Sequence, residues 1–362
     1  MNTYFCNLQT HDTYMSRCLQ LAALGAGYTA PNPLVGAVLV YNNQIIGEGF
    51  HQQYGGPHAE VNCINSVTQE NKKYIAASTL YVSLEPCVHF GKTPPCTNLI
   101  LKSKIPTVVI GCRDSFAAVD GKGIEKLENA GVHVVLGIME TECMHMNRRF
   151  FTFHKKHRPY IILKWAQSND GFIAASNIHK KNTEIKRLLI SNEITNRLVH
   201  KWRSHEAAIM VGTQTALLDN PSLTTRLWPG NNPLRLVIDK ELILPPSLKM
   251  FKGSAKTIVF NYTKQSESKN LVYQLLNEKE NVLTQILSFL FQQQIQSLIV
   301  EGGTKLIQSF IDEGLWDEAR VITNKEMKIE NGLAAPGLKN NLLLCQNNYS
   351  TDTVSYFKRI QN

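Results

Sequence analysis

Short apolar strands alternate with single helices along most of this 362-residue chain. In its first half, the hydrophobic pattern switches repeatedly between the periods of a strand and of a helix. Strands are predicted at 34–41, 45–50, 79–84, 107–111 and 132–136, and helices at about 15–22, 59–67, 94–102 and 123–130. The turn Asn42-Asn43 joins the first two strands. Because strands joined by single helices form largely parallel sheets with helices on both faces, the pattern predicts an α/β fold.

The alternation is interrupted between Asn147 and Pro159, where we see no clear hydrophobic period. Basic side chains are concentrated there, and we interpret the segment as a solvated linker; they are Arg148, Arg149, Lys155, Lys156 and Arg158. Beyond it, strands are predicted at 159–166, 207–211, 234–239, 257–260, 297–300 and 318–323. Helices are predicted at 192–202, about 282–292 and 304–312, and a short helix that ends at Leu218 is predicted after the strand at 207–211. The chain is therefore expected to form two α/β domains, residues 1–147 and 158–362.

Composition limits the class of protein. No apolar run is long enough to span a bilayer, and the N-terminus lacks a basic start followed by an apolar segment, so we expect a cytoplasmic protein without a membrane partner. The net charge is +9, but the basic residues are mostly dispersed, which favours a small phosphorylated ligand over nucleic acid.

The eight cysteines are scattered, so no disulfide framework is expected, and Cys18 and Cys63 are predicted to be buried. A homo-oligomer is also expected.

One histidine and two cysteines occur in a pattern typical of a catalytic zinc site. His58-Ala59-Glu60 precedes Glu85-Pro86-Cys87, and Cys96 follows after eight intervening residues. One imidazole and two thiolates leave the fourth tetrahedral position to a water, which Zn²⁺ activates for attack on a ring carbon. Glu60 is the expected carrier of protons from this water to the substrate. His-x-Glu followed by Pro-Cys marks the zinc base deaminases.

A closed structural zinc site is the alternative, with His89 as its fourth ligand, but it would leave Glu60 without a role. Residues two positions apart in a helix point about 200° apart. His58 and Glu60 can therefore face one centre only if His58 precedes the regular part of its helix.

The helix that carries the second cysteine is predicted from its start signals. Thr93 is the expected N-cap, and Pro94 is the expected first helical residue. This assignment places Cys96 in the first turn. The helix dipole favours a thiolate at that position.

The residues around the His58-Ala59-Glu60 motif and around the two cysteines resemble those of the bifunctional riboflavin-biosynthesis deaminase/reductases. The matching segments are Pro31-Asn32-Pro33-Leu34-Val35-Gly36, His58-Ala59-Glu60, Glu85-Pro86-Cys87 and Gly91-Lys92-Thr93-Pro94-Pro95-Cys96. The resemblance implies a cytidine-deaminase-like three-layer domain, with zinc on His58, Cys87 and Cys96 and with Glu60 as proton donor. It further implies substrate contacts at Asn32, His51, His89 and Lys92.

The second half contains no Gly-x-Gly-x-x-Gly fingerprint, so a Rossmann fold is not expected. The strand at 298–300 leads instead into Glu301-Gly302-Gly303-Thr304 and a helix, a turn whose backbone N–H groups suit an anion. A second strand-to-helix turn, at 211–215, is expected to form another wall of the same site.

This half resembles the reductase domain of the same family, which has a dihydrofolate-reductase-like α/β fold. The matching segments are 163–171, 212–215, 218–226 and 301–303. The resemblance implies an NADPH cofactor in contact with Ala166, Thr215, Asp219, Gly303 and Thr304. It implies substrate contacts at Lys164, Arg203, Leu223, Arg226 and Glu301. A guanidinium binds phosphate bidentately, which suits Arg203 and Arg226 to a ribose phosphate. Asp219 and Glu301 are expected to position the proton of the reduction.

The chain departs from the family pattern in three places, at Leu188–Ser191, at Phe172 and around Asn324–Glu326. These departures are expected to affect the packing around the cofactor, and they leave the main site residues unchanged.

Together with the zinc motif, the resemblance implies hydrolytic deamination of 2,5-diamino-6-(5-phosphoribosylamino)pyrimidin-4(3H)-one. NADPH would then reduce the ribosyl group of the aminouracil product to ribityl. Two alternatives stay open from the sequence. A zinc deaminase acting on RNA bases predicts a basic groove and no nicotinamide site. The second alternative is a zinc-stabilised nucleic-acid-binding protein without catalysis. In that case Glu60→Gln would change no activity.

Overall fold

A computed structural model describes residues 2–90, 94–114, 121–175 and 188–360, with the backbone alone for residues 2–10. The chain forms two compact units, Met1–His157 and Arg158–Asn362. In the described ranges, no helix has both the length and the apolar character needed to cross a membrane.

The first unit is built on a five-stranded sheet. Its strands are β1 (Gly36–Tyr41), β2 (Gln44–Phe50), β3 (Thr79–Leu84), β4 (Thr107–Cys112) and β5 (His133–Leu136). Its helices are α1 (Asn2–Ala23), α2 (Ala59–Asn65), α3 (Cys96–Lys102), α4 (Lys122–Asn129), α5 (Glu140–Met146) and α6 (Arg148–Lys156). The strand order is β2-β1-β3-β4-β5, with β3, β4 and β5 parallel. The sheet is mixed because β1 pairs antiparallel with both of its neighbours.

Helices cover both faces of this sheet. One core joins α1 and α5 to the sheet through residues such as Met15, Cys18 and Cys143, and the other joins α2, α3 and α4 through residues such as Cys63 and Ile100. All five side chains are fully buried. The three-layer architecture and the burial of Cys18 and Cys63 are therefore confirmed. The predicted Asn-Asn turn is also confirmed, because Asn42 and Asn43 have the positive φ angles, 46° and 61°, of a tight hairpin.

The basic segment after Asn147 is not a solvated linker, and this prediction was wrong. Its residues form α6, whose aromatic side chains Phe150, Phe151 and Phe153 are buried. Four of the five basic residues lie on the other positions of the helix, so the segment is amphipathic. The fifth, Arg158, follows the helix and forms an ion pair with Asp317 over 2.6 Å. Two turns of helix are too short for this period to stand out in the sequence, and the charged residues obscured it.

The second unit is built on a ten-stranded sheet and a two-stranded sheet. Its strands are β6 (Tyr160–Ser168), β7 (Phe172–Ala175), β8 (Ala208–Gly212), β9 (Leu234–Ile238), β10 (Thr257–Asn261), β11 (Ser266–Glu267), β12 (Leu271–Leu275), β13 (Ser297–Glu301), β14 (Glu318–Asn324), β15 (Gly332–Ala334), β16 (Asn341–Tyr349) and β17 (Asp352–Arg359). Its helices are α7 (Glu193–His205), α8 (Thr213–Asp219), α9 (Val282–Gln292) and α10 (Thr304–Asp312).

The large sheet has the order β11-β12-β10-β9-β8-β13-β6-β14-β17-β16, and β7 pairs with β15. Strands β8, β13, β6 and β14 run parallel. Their carboxyl ends therefore lie along one edge, where open α/β sheets bind ligands. Helices α9 and α10 pack on one face, and α7 and α8 pack on the other. The α/β class predicted for this half is confirmed.

Two of the three departures from the family pattern contact each other. The side-chain amide of Asn324 donates to the backbone carbonyl of Ile190 over 2.7 Å. Its oxygen accepts the N–H of Glu326 and of Met327. Asn324 thus fastens the end of β14 to the segment before α7. The third departure, Phe172, begins β7.

Candidate active sites of the two units

Three ligand atoms meet in the first unit, where α2 and α3 begin. His58, Cys87 and Cys96 each offer one, and the three atoms lie within 4.8 Å of one another. His58 Nδ1 is 3.6 Å from the sulfur of Cys87 and 3.3 Å from that of Cys96. His89 is exposed and is not a member of this cluster. A closed site with His89 as fourth ligand is therefore not present among the described residues, and the open three-ligand set fits a catalytic zinc.

Local structure explains how the three side chains meet. His58 is the N-cap of α2 and has extended backbone angles, so it stands outside the regular helix, as predicted. Cys96 is the first residue of α3, with Pro95 as its N-cap. Pro94 precedes the helix instead of beginning it, and Thr93 lies outside the described residues. The prediction of Cys96 in the first turn is nevertheless confirmed.

The neighbours of the two sulfurs favour a thiolate at Cys87. The neighbouring Cys96 thiol, together with His58, lowers the pKa of Cys87. The nearness of Cys87, together with burial, raises the pKa of the Cys96 thiol far above its usual range. The backbone N–H of Cys96 also donates to the Cys87 sulfur over 3.3 Å. Cys87 is therefore a ready thiolate, and a divalent cation would displace the proton from Cys96.

Glu60 is 3% exposed and lies in the first turn of α2. Burial raises the pKa of its carboxyl above the usual value, and the neighbouring Cys87 thiolate raises it further. Glu60 is not one of the clustered ligands. A buried carboxyl whose pKa is shifted toward neutrality suits proton transfer, because it can both accept and return a proton.

His51 links two parts of the predicted substrate site. Its Nδ1 donates to the carbonyl oxygen of Pro57 over 3.0 Å, since a carbonyl can only accept. Its Nε2 therefore accepts from the side-chain amide of Asn32, also over 3.0 Å. Burial lowers the pKa of His51, which keeps the ring neutral. His51 thereby orients the Asn32 amide, and the centroid of its ring lies 5.4 Å from that of the metal-ligand candidate His58. Lys92 lies outside the described residues.

In the second unit, a buried ion triad lies at the carboxyl end of β13. Arg203 donates to both carboxylate oxygens of Glu301, over 2.8 and 2.7 Å. The ammonium of Lys164 is 3.8 Å from the same carboxylate, and Lys164 pairs in register with Glu301 across β6 and β13. Three of the predicted substrate residues are therefore together. The Nε–Nη2 edge of Arg203 is already engaged, and its Nη1 donates to the carbonyl of Thr224 over 3.2 Å.

The turn from β13 into α10 lies against the first turn of α8. Gly302 and Gly303 have φ angles of 79° and 68°, a region that favours glycine. A Cβ atom at Gly302 would lie 2.6 Å from the Cγ2 of Thr215, so the approach requires glycine. Thr304 begins α10 and donates its hydroxyl to Ala334. The structure thus brings together Thr215, Gly303 and Thr304, as predicted for one wall of a cofactor site.

The other predicted residues of this unit are spread around that edge. Ala166 lies on β6, and Asp219 is the last residue of α8 and is exposed. Leu223 is 2% exposed and has a φ of 54°, while Arg226 is exposed in the same loop. Sequence reasoning missed Thr224, because its contribution is a backbone carbonyl.

Comparisons with known proteins agree with both sites. Residues 8–112 match the family model of the cytidine and deoxycytidylate deaminase zinc-binding region, and residues 159–324 match that of the RibD C-terminal domain. The chain is 40% identical to the riboflavin biosynthesis protein RibD of Aquifex aeolicus over 84% of each chain. It is 33% identical to RibD of Escherichia coli over 84% of this chain and 85% of the relative.

A solved structure from Thermotoga maritima is similar over 98% of this chain and 99% of its own length. It superposes with a TM-score of 0.88 at 34% identity. That protein is a diaminohydroxyphosphoribosylaminopyrimidine deaminase/5-amino-6-(5-phosphoribosylamino)uracil reductase. RibD of Acinetobacter baumannii superposes with a TM-score of 0.86 over 98% of this chain and 100% of its own. The chain therefore belongs to the RibD family of riboflavin-biosynthesis proteins, which join a zinc-binding deaminase to a reductase.

Proposed function

We propose that this chain deaminates 2,5-diamino-6-(5-phosphoribosylamino)pyrimidin-4(3H)-one at C2 and then reduces the ribosyl group of the aminouracil product with NADPH. The observation that carries the proposal is the open cluster of His58, Cys87 and Cys96 beside the buried Glu60. Family membership supports the reductase step and argues against an RNA deaminase or a non-catalytic zinc protein. We assign the first step to the first unit and the second step to the second unit, which the sequence predicts as domains 1–147 and 158–362 and which α6 extends to His157 in the first case.

In the first step, the donor set of one imidazole and two sulfurs would hold Zn²⁺. The ion would lower the pKa of a coordinated water from about 15.7 toward about 7. Glu60 takes a proton from the attacking water and passes it to the ring nitrogen. It then delivers the second proton to the departing amino group, so that water and the amine become a carbonyl and ammonia.

The rest of the first site holds the substrate. The Asn32 amide, oriented by His51, would hydrogen-bond the edge of the pyrimidine ring. We propose that His51 contributes through this orientation, since both of its ring nitrogens are engaged within the protein. Lys92 and His89 remain the predicted contacts for the ribose phosphate.

In the second step, NADPH would supply the hydride to C1′ of the opened ribosyl group. The turn of Gly302 and Gly303 presents backbone N–H groups at the start of α10, which suits the cofactor's phosphates. Thr215 and Thr304 lie beside the turn, and Ala166 and Asp219 remain predicted contacts.

The ion triad constrains how the reduction receives its proton. Burial would raise the pKa of Glu301, but Arg203 and Lys164 lower it to about 2. Glu301 is therefore ionised at neutral pH and orients its partners without donating. The ammonium of Lys164, 3.8 Å away, is the group we propose as proton donor. Arg226 is the proposed phosphate contact, while Arg203 holds Glu301 and the Thr224 carbonyl in place.

One experiment tests both steps. The full-length, zinc-loaded protein receives the diaminopyrimidine phosphate with or without NADPH. Ammonia is expected in both reactions and oxidised cofactor only in the second. Glu60→Gln should retain zinc and lose about 10²–10⁴-fold in the rate of ammonia release, as expected for a general acid–base group.

The aminouracil product, supplied directly, separates the two activities. Glu60→Gln should still oxidise NADPH with this compound at the wild-type rate. If the variant released ammonia normally, the assignment of Glu60 would be wrong. If the wild-type protein failed to oxidise NADPH with the aminouracil, the reductase assignment would be wrong.

A further inference from the structure

The carboxylate of Glu85 receives four backbone N–H groups. Glu85 lies between the end of β3 and the ligand Cys87, and it is 4% exposed. Its Oε1 accepts from Gly123 over 2.8 Å and from Ile124 over 3.3 Å. Its Oε2 accepts from Gly121 over 3.1 Å and from Asp114 over 3.2 Å. Three of the four donors belong to the start of α4.

Helix α4 relies on this carboxylate for its N-terminal cap. Its own N-cap residue is Gly121, which has no side chain and a φ of 78°. The first N–H groups of a helix have no partner within the helix and carry a partial positive charge. Glu85 supplies both the acceptors and the negative charge from outside α4. The hydrogen bonds therefore fasten the end of β3 to α4.

The contact between the two segments is close as well as polar. A Cβ atom at Gly123 would lie 2.3 Å from the carbonyl oxygen of Pro86 and 3.0 Å from Oε1 of Glu85. Only a glycine lets α4 approach the chain just before Cys87 in this way. Pro86 and Glu85 are thus held from one side by the backbone of α4.

Helix α3 holds the same loop from the other side. The carbonyl oxygen of Cys87 accepts from the backbone N–H of Thr97 and from its hydroxyl, both over 3.2 Å. The Cys87 sulfur accepts the N–H of Cys96. The two residues before Cys87 are therefore anchored to α4 and Cys87 itself is anchored to α3.

We propose that Glu85 is a positioning residue that fixes Cys87 for metal binding, by holding the residues that directly follow β3 on the start of α4. It acts through the backbone and does not coordinate the metal. Partners that orient metal ligands from outside typically contribute about 10–100-fold to metal affinity. This role goes beyond the proposed catalytic function of the site and can be tested without a substrate.

The test is zinc release from the full-length protein into a chromophoric chelator. Glu85→Gln keeps the size of the side chain, but its NH₂ group would face two N–H donors. Glu125→Gln is the matched control, because Glu125 is an exposed acid in the first turn of the same helix. Zinc should leave Glu85→Gln about 10–100-fold faster than wild type, and Glu125→Gln should differ less than about twofold.

A spectroscopic measurement separates positioning from simple stabilisation. With Co²⁺ in place of zinc, the visible absorption bands report the geometry of the ligands. Glu85→Gln should shift these bands, whereas Glu125→Gln should not. If Glu85→Gln only melted earlier, with wild-type zinc release and an unchanged Co²⁺ spectrum, Glu85 would be no more than a helix cap.

A second variant covers the case in which Glu85→Gln does not fold. Gly123→Ala keeps the carboxylate and forces α4 away from Pro86. The proposal predicts faster zinc release and a shifted Co²⁺ spectrum for this variant too. Wild-type behaviour of Gly123→Ala in both measurements would refute the coupling between α4 and Cys87.

Discussion

Arg203 and Glu301 form a buried, two-pronged ion pair at the carboxyl edge of the second unit's large sheet. Nε and Nη2 of the guanidinium donate to the two carboxylate oxygens over 2.8 and 2.7 Å. Their side chains are 10% and 9% exposed. Such a pair is costly to break, because removal of one partner leaves the other charge buried without compensation.

Glu301→Gln should therefore lower the free energy of unfolding of the second unit by about 3–5 kcal/mol. All four tryptophans, at positions 165, 202, 228 and 316, lie in this unit. Tryptophan fluorescence during urea unfolding of the full-length protein thus reports on it selectively. Glu267→Gln is the matched control, since Glu267 pairs with Lys256 at the surface, where side chains are 67% and 44% exposed. That substitution should cost about 0–1 kcal/mol, and equal losses in the two variants would contradict the assignment.

The protonation of His200 should make the free energy of unfolding of the second unit depend on pH. Burial, followed by the nearby Arg203 and Arg226, lowers the pKa of this imidazole to about 4, from 6.5 in the unfolded chain. Between these values the unfolded chain binds a proton that the folded unit does not. The neutral His200 ring therefore contributes fully to the free energy of unfolding of the second unit above pH 6.5. This contribution is lost as the pH falls toward 4.

The measurement is the urea midpoint, followed by tryptophan fluorescence, from pH 7.5 to 4. The free energy of unfolding of the wild type should fall by up to about 1.4 kcal/mol per pH unit through His200. His200→Gln should make the profile flatter over this range. The exposed His133 of the first unit provides a control, and His133→Gln should leave the profile unchanged. An unchanged slope in His200→Gln would show that other groups cause the loss.

The metal cluster could be predicted from sequence because its motifs lie beside strand ends and helix starts, which local patterns reveal. His58 before α2 and Cys96 at the start of α3 are such positions. The ion triad was only partly predictable. The residue types were expected, but the pairing of Arg203 with Glu301 joins positions 98 residues apart and depends on the packing of α7 against β13.

The last strands were missed for a related reason. The sequence analysis predicted neither β16 nor β17. Strand β16 is exposed along nearly its whole length and shows no alternation of buried and exposed residues. Its place is determined by the register with β17, which in turn pairs with β14. A strand without a buried face shows no period-two pattern, so neither its presence nor its partner can be read from the hydrophobicity of the sequence.

Cys87→Ser should separate the two activities of the protein. A serine hydroxyl is a poor substitute for the cysteine thiolate that zinc prefers as a ligand, and the surroundings of Cys87 lower its pKa and so favour that thiolate. The variant is expected to purify with almost no zinc and to release no ammonia, while NADPH oxidation with the aminouracil continues. Zinc is measured by atomic absorption. Cys345→Ser is the control, since Cys345 is exposed on β16 and should keep full zinc and both activities. Normal zinc content in Cys87→Ser would remove this cysteine from the ligand set.

Arg226→Gln should weaken substrate binding in the reductase step without altering the chemistry. Arg226 is exposed in the loop between α8 and β9, which Arg203 holds through the Thr224 carbonyl. A charge-assisted hydrogen bond contributes about 1.5–3 kcal/mol, so KM for the phosphorylated aminouracil should rise at least about tenfold while kcat changes little. Arg197→Gln, at an exposed position of α7, should leave KM unchanged.

The dephosphorylated aminouracil nucleoside supplies the decisive comparison. If Arg226 binds the phosphate, wild type and Arg226→Gln should use the nucleoside with the same kcat/KM, because the lost contact then has no partner. A larger defect with the nucleoside would place Arg226 at another part of the substrate.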